Sequence, residues 1–287
     1  MTVIAVAQLA PVIGDPGASR RTAADAVAEA AAAGAGLVVL PELCDSGYVF
    51  GTAAEARGLA TAADDSPTLR QWQALAAAHA TVIIGGFCEL GGDGRLYNSA
   101  AVVDASGTRA VYRKAHLWDR EKLVFTAGDA PPPVVSLPSG RVAVVICYDL
   151  EFPEWARLPA LGGADLIAAP VNWPAAPRPA GERPAEVVKA QAGAATNGVF
   201  VAVADRCGTE RGVEWIGGTV IIAPDGYPLA GPVVADHPAV LTADCDLARA
   251  RDKRISDHNE LLADRRPELY SPVTSGDDGS HTRSVPA

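Results

Sequence analysis

No apolar run in this 287-residue chain reaches the roughly 18–20 residues that span a bilayer. The opening Met-Thr-Val-Ile-Ala-Val-Ala-Gln has no basic region, long apolar stretch or cleavage site, so no secretory leader is expected. Basic charge is scarce too: 24 Lys and Arg stand against 34 Asp and Glu, a formal net charge of −10. Such a chain has no electrostatic footprint for nucleic acid and little attraction to an anionic membrane. The five cysteines, at positions 44, 88, 147, 207 and 245, form no Cys-x-x-Cys pair, and there is no His-x-x-x-His. This argues against zinc, an iron–sulfur cluster or a dithiol switch, and no metal or cofactor is expected. Reduced thiols in a cytoplasmic protein are the economical reading, most of them small buried hydrophobes. Neither a Gly-x-x-x-x-Gly-Lys-[Ser/Thr] loop nor a Gly-x-Gly-x-x-Gly fingerprint is present, so nothing supports nucleotide chemistry.

What is present suits one large α/β domain, since 49% of residues are hydrophobic. Thr2–Leu9 reads as a strand and the Ala-rich stretch Ala18–Ala33 as a helix. The short apolar run Gly36–Pro41 has the character of a strand buried on both faces. Ser66-Pro67 supplies a cap and first-turn proline for a helix over Leu69–His79. Strands are expected at Thr81–Leu90, Leu96–Asp104 and Ala110–Lys114, with Gly-Gly-Asp-Gly and Ser106-Gly107 in the turns. Residues 115–140 read as irregular. Beyond them come strand Arg141–Ile146, helix Pro153–Leu161, strand Asp165–Val171, helix Pro184–Thr196 and strand Val199–Asp205. A hairpin at Gly217–Ala223 and Leu229–Val234 and a last strand near 240–246 follow. Hairpins mixed with βαβ units suggest sheets with helices on their outer faces. Periodicity alone does not choose between two stacked sheets and one doubly wound sheet.

Three ionisable side chains of complementary type fall at the carboxyl ends of expected strands, where open α/β sheets bind ligands. Cys147 ends the buried run Val-Ala-Val-Val-Ile and precedes a helix start, whose free N–H groups favour a thiolate. Glu42 follows Leu-Val-Val-Leu-Pro, and Lys114 follows Val-Tyr-Arg. Each has a plain alternative: a structural cysteine, a capping glutamate, a solvated lysine. A Cys–His pair would need one of His79, His116, His237, His258 and His281. Only His116 lies near a strand end, and no orienting Asn or Asp is suggested by its position.

Three stretches resemble the nitrilase superfamily of carbon–nitrogen hydrolases. They are Leu-Val-Val-Leu-Pro-Glu-Leu around Glu42, Tyr-Arg-Lys-Ala-His-Leu-Trp around Lys114, and Val-Ile-Cys-Tyr-Asp-Leu-Glu-Phe-Pro-Glu around Cys147. They stand in the family's order, and the likeness runs from about Thr2 to Tyr270. The resemblance implies a four-layer α-β-β-α sandwich over residues 1–265 and a homodimer or higher homo-oligomer. Residues 266–287, polar and rich in Ser, Gly and Pro, are expected to form a C-terminal tail, flexible or docked on a partner subunit. It also implies an amidase mechanism, with Cys147 as nucleophile, Glu42 as base and Lys114 as oxyanion donor. Glu121, seven residues after Lys114, matches a second glutamate of the family and is expected to orient Lys114 or substrate. Tyr148-Asp149 after the cysteine, where nitrilases typically carry Trp-Glu, favours an amide over a nitrile. N-carbamoyl amines or acids and nitriles stay open as alternatives. Tyr48, Tyr148, Asn172 and Trp173 are expected to bind substrate, with Trp173 as an apolar wall and Asn172 recognising the amide. A non-catalytic binding protein on the same fold is the competing class. An ammonia-supplying glutaminase domain is set aside because no synthetase segment follows residue 287.

Overall fold

Alternation along the first strand decides the architecture. In Thr2–Gln8, Ile4 and Val6 enter one hydrophobic core while Ala5 and Ala7 enter another. The same split recurs in Ala35–Val39, where Leu37 and Val39 part from Val38. A strand that buries both faces must lie between two layers.

The computed structural model describes residues 1–274, which fall into a unit over Met1–Asp252 and a second, smaller one from Lys253 onward. The first contains two six-stranded sheets. One runs, in spatial order, Ala239–Cys245, Thr2–Gln8, Ala35–Val39, Val82–Leu90, Leu96–Asp104, Gly107–Arg113. The other runs Pro228–Ala230, Val220–Ile222, Phe200–Ala204, Leu166–Pro170, Gly140–Val144, Val134–Leu137. Each has three parallel strands at its centre and antiparallel strands at its wings.

Ile4, Val6, Leu37, Val39 and Ile84 pack the first sheet against strands Leu166–Pro170 and Phe200–Ala204 of the second. On the outer face, helices Pro16–Ala32 and Pro67–His79 bring Val27, Leu69 and Trp72 onto Ala5, Val38 and Ile83. Helices Pro153–Leu161 and Ala185–Asn197 cover the other sheet through Ala160, Val187, Ala190 and Ala194. The result is the α-β-β-α sandwich. Both helices on the first sheet start as their sequences dictate. The Asp15 carboxylate accepts from Ala18 N and the Ser66 hydroxyl from Leu69 N, each before a first-turn proline.

Among the elements not expected are a strand and a helix in the larger unit. Strand Val134–Leu137 lies inside the segment read as irregular, where Pro131–Pro133 hid a short edge strand paired with Gly140–Val144. Helix Ala53–Leu59, capped by Thr52, was also not expected. The second unit holds a short ribbon of Arg254–Ser256 with Asn259–Glu260, then a 3-10 turn Pro267–Leu269 and a helical turn Ser271–Thr274. Most of the expected C-terminal tail, residues 275–287, lies outside the described residues. Among the described residues no helix is long and apolar enough to cross a membrane.

Gly86, mid-strand in Val82–Leu90, sits hard against the segment after Ala35–Val39. A Cβ there would fall 2.3 Å from Leu43 N and 2.6 Å from Glu42 Cα. Gly193, inside helix Ala185–Asn197, has nothing within 4 Å of its Cβ position. The two glycines therefore respond to alanine with opposite signs. Gly86→Ala should lower stability by about 1–3 kcal/mol through overpacking. Gly193→Ala should raise it by about 0.5–1 kcal/mol by removing a flexible helix residue. Urea midpoints at constant slope read both.

Candidate active site

Glu42 lies three residues past strand Ala35–Val39 and is pinned on both sides to Gly86. Gly86 N donates to Pro41 O (2.9 Å) and Cys44 N to Gly86 O (2.9 Å). Lys114 directly follows Gly107–Arg113. Its N–H donates to Asn98 O (2.9 Å) and its carbonyl accepts from Gly128 N (2.8 Å). Cys147 follows Gly140–Val144 by three residues and opens a 3-10 turn over Cys147–Glu151. Its φ of +48° is left-handed. Leu43 beside Glu42 (φ +44°) and Asp119 near Glu121 (φ +41°) share that conformation. Each such residue costs on the order of 1–3 kcal/mol, which the surrounding structure must hold in place.

The buried Asp149 holds the Cys147 turn. Its carboxylate accepts from Ile146 N (3.1 Å), His116 N (3.0 Å) and the Tyr112 hydroxyl (2.6 Å), and His116 Nδ1 lies 2.7 Å away. The Tyr112 oxygen in turn accepts from Trp155 Nε1 (2.9 Å). One carboxylate thus ties the turn after Gly140–Val144 to the end of Gly107–Arg113.

At the centre, Lys114 Nζ donates to Glu42 Oε1 (2.6 Å) and Glu121 Oε1 (2.7 Å), all three side chains being buried. Asn98 Nδ2 adds a second donor to Glu42 Oε1 (2.7 Å). Glu42 Oε2, also buried, has no partner among the described residues. Glu121 accepts further from the Tyr48 hydroxyl (2.5 Å) and, through Oε2, from Trp118 N (3.1 Å). Cys147 Sγ donates to Asn172 O (3.8 Å), and Asn172 Nδ2 donates to Glu42 O (3.0 Å).

Burial governs the electrostatics. Desolvation pushes the Glu42 carboxyl up to about 7 despite the pull of Lys114. Burial alone would lower Lys114, but Glu121 and Glu42 hold it well above the ordinary lysine range. Desolvation, then the Glu42 charge, pushes the Cys147 thiol well above its ordinary value. The helix expected after the cysteine is present at Pro153–Leu161, with a 3-10 turn over Cys147–Glu151 before it, but the N–H field expected to favour the thiolate is outweighed by burial and by the Glu42 charge.

A cavity of about 270 Å³ opens beside this cluster, with Tyr48 and Glu121 among its walls. Of the residues expected to bind substrate, Tyr48 lines it and Asn172 braces the Glu42 backbone. Tyr148 does not line the cavity but meets the lining residue Trp118 edge-on, ring centroids 4.8 Å apart. Trp173, expected as a wall, is not among the residues lining this cavity; it is 2% exposed and packs in the hydrophobic core, close to where a Gly218 side chain would be. Trp215 is the wall instead, set edge-on to Tyr48 at 5.3 Å. His116 has an acidic partner after all in Asp149, but that pair is committed to the turn. Sequence reasoning missed Asn98, although an Asn-Ser pair inside an apolar strand was a usable signal. It also missed Glu210, whose Oε1 accepts from Tyr48 N (2.8 Å) and Val49 N (2.6 Å) while Oε2 pairs with the buried Arg206. No local pattern announces that long-range clamp.

Known proteins resemble the chain along nearly its whole length. The family profile described as carbon-nitrogen hydrolase matches residues 3–255. A protein named nitrilase from Pyrococcus abyssi is 39% identical over 272 residues, covering 94% of this chain and 99% of that protein. An N-carbamoylputrescine amidase from Arabidopsis thaliana is 33% identical over 270 residues, covering 88% of each. Among solved structures, an amidase from Nesterenkonia sp. AN1 superposes with a TM-score of 0.78 at 27% identity, covering 95% of this chain and 100% of that one. That structure is a glutamate-to-glutamine mutant showing Michael addition of acrylamide at its active-site cysteine. A profile match over nearly the whole chain and a relative matched along nearly its full length leave membership plain: this chain is a carbon–nitrogen hydrolase of the nitrilase superfamily.

Proposed function

We propose that the chain hydrolyses the C–N bond of a linear amide through a thioester on Cys147, releasing ammonia and a carboxylic acid. The observation that carries the reading is the division of labour on Glu42. Its Oε1 is held by Lys114 and Asn98, while Oε2 has no partner among the described residues and the Glu42 charge acts on the buried Cys147 thiol. As the Cys147 sulfur bonds to the amide carbon, its proton passes to Glu42 Oε2 and the carbonyl oxygen becomes an oxyanion. Lys114 Nζ, with the backbone N–H after the nucleophile, stabilises that charge. Collapse breaks the C–N bond, and the nitrogen leaves as ammonia with the proton from Glu42. Water then gives a proton to Glu42 and attacks the thioester. Loss of the sulfur, reprotonated from Glu42, frees the acid. Glu121 holds Lys114 in place. Tyr148-Asp149 supports an amide rather than a nitrile, and the relative named N-carbamoylputrescine amidase keeps carbamoyl compounds in the test. The apolar Leu158, Leu161 and Val188, exposed on the helices over the second sheet, support a homodimer through that face.

The deciding experiment is ammonia release from a panel of amides, nitriles and N-carbamoyl compounds. The proposal expects amides to lead, and nitriles or carbamoyl compounds leading would overturn it. Cys147→Ala should abolish turnover with the fold intact, as judged by circular dichroism. Glu42→Gln should cut kcat/KM by about 10²–10⁴, the usual weight of a positioned acid–base group. Cys147 in Glu42→Gln should still add to acrylamide, read by mass spectrometry.

The pH dependence follows from burial. Glu42 must be ionised to take the thiol proton, and its carboxyl is pushed up to about 7. The rate constant kcat/KM should therefore rise through pH 7 and level off above it, falling by about tenfold per unit on the acid side. A flat profile between pH 5 and 8, about two units below that value to about one unit above it, would remove Glu42 as the base.

Glu121→Gln keeps the Glu42 carboxylate and the Cys147 thiol, relieves the upward push of the Glu121 charge on both, and loosens Lys114. Alkylation of Cys147 should persist while amide acylation falls by roughly a hundredfold, the cost of a misplacement of about 1 Å. Wild-type amide turnover in this variant would return Glu121 to a structural role.

A further inference from the structure

The cavity shares Glu121 with the Lys114 cluster, which makes it the space adjoining the proposed catalytic groups. Its walls include Tyr48, Phe50, Phe125, Pro174, Val213 and Trp215. Two edge-to-face pairs, Tyr48 with Trp215 at 5.3 Å and Phe50 with Phe125 at 5.9 Å, make it an aromatic box. Tyr48 presents its ring there, because its hydroxyl is spent on Glu121. The charged groups at the walls are three. Glu121 is committed to Lys114, Tyr48 and Trp118 N. Asp119 and Arg120 are adjacent, opposite in sign and exposed at the mouth, so they favour neither a cation nor an anion.

The box is also preformed. The Glu210 carboxylate holds the backbone N–H groups of Tyr48 and Val49, and Arg206 pairs with it from behind. Arg206 further donates to Pro11 O (2.6 Å), so the clamp is itself anchored. A rigid apolar box binds an apolar group without an ordering cost. It penalises a charge, which would be buried without a counter-ion. About 270 Å³ lies just below the size of drug-sized pockets, room for a phenyl ring or a medium alkyl chain.

The geometry points to uncharged amides with an apolar acyl group, aryl or medium-length alkyl, as the substrate class. This rests on the amidase reading above. It sets such amides apart from amides or carbamoyl compounds whose far end carries an ammonium or carboxylate.

The test compares isosteric substrates on the wild-type enzyme. Heptanamide and 6-aminohexanamide have the same number of heavy atoms and differ in a terminal methyl or ammonium. Acetamide serves as the minimal amide. Heptanamide should exceed 6-aminohexanamide in kcat/KM by at least about a hundredfold, and acetamide by at least about tenfold. Val213→Phe, at a part-exposed site on the short strand Val213–Glu214, narrows the box. It should lower the heptanamide-to-acetamide ratio by at least about fivefold. Equal rates for the two isosteres, a preference for the ammonium, or an unchanged ratio in Val213→Phe would each overturn the inference while leaving the amidase reading standing. No ammonia from any amide, acetamide included, would overturn both. The wild-type comparison stands alone if Val213→Phe does not fold.

Discussion

A single ammonium shared by two buried carboxylates is the interaction on which the site depends. Lys114 Nζ bridges Glu42 and Glu121 at 2.6 and 2.7 Å. Ion pairs this deep are poor sources of stability, because desolvation consumes most of the attraction. The cluster also has one carboxylate too many for its one cation. Burial first, and that excess second, push the Glu42 carboxyl up to about 7 and raise the neighbouring thiol well above its ordinary value. A second negative charge cannot form there cheaply. In the proposed reaction none forms. The proton that leaves sulfur arrives on Glu42, and the charge on sulfur passes to the oxyanion beside Lys114. Net charge in the pocket is constant at every step, so a water-poor site can carry it.

Holding such a cluster takes backbone that the strands alone do not provide. Each reacting segment leaves the end of a strand and turns abruptly, with Leu43, Asp119 and Cys147 all left-handed. Gly86 lets the Glu42 turn approach to within contact of a neighbouring strand, and Gly128 does the same for the backbone of Arg113. Buried carboxylates then pin the ends. Asp149 holds the Cys147 turn, and Glu210 holds the loop that carries Tyr48. Asp205, pushed by burial up to about 7, gathers the N–H groups of Trp173 (3.0 Å), Arg206 (2.8 Å) and Gly218 (2.7 Å). These carboxylates accept the backbone hydrogen bonds that turns at buried strand ends would otherwise leave unmet.

What could be read in advance was what local pattern controls. The apolar runs gave the parallel strands, Ser66-Pro67 gave a helix start, and residue type at a strand end gave Glu42, Lys114 and Cys147 as candidates. The two-sheet choice and Glu121 came from resemblance, since no spacing rule separates a bound loop glutamate from a solvated one. Everything set by distant partners was out of reach. Glu210 meets Tyr48 across 162 positions of sequence, and nothing near either announces the other. Trp173 and Trp215 are both aromatic residues in irregular segments after strands. Only the packing around Gly218 sends the first into the core and leaves the second to line the cavity. The thiol failed for a different reason. A helix start was taken to favour the anion, but burial acts on the same atom with the opposite sign and dominates.

Asp149 bears on the proposed reaction through the backbone it holds. Tyr148-Asp149 after the cysteine was the feature that favoured amides, yet Asp149 is wholly buried and its oxygens are occupied. Its grip on Ile146 N, one residue before the nucleophile, helps set the left-handed turn and so the direction in which sulfur leaves the strand. Its grip on Tyr112 and His116 fixes the backbone on either side of Lys114. Lengthening the side chain by one methylene, as Glu would, has to move one of those two anchors relative to the other. The angle between attacking sulfur and oxyanion donor would then change. A trigonal amide and a linear nitrile develop charge in different directions as they are attacked. Under the proposed amidase reading, the pair after the cysteine acts on that choice through the geometry of the turn, from a buried position.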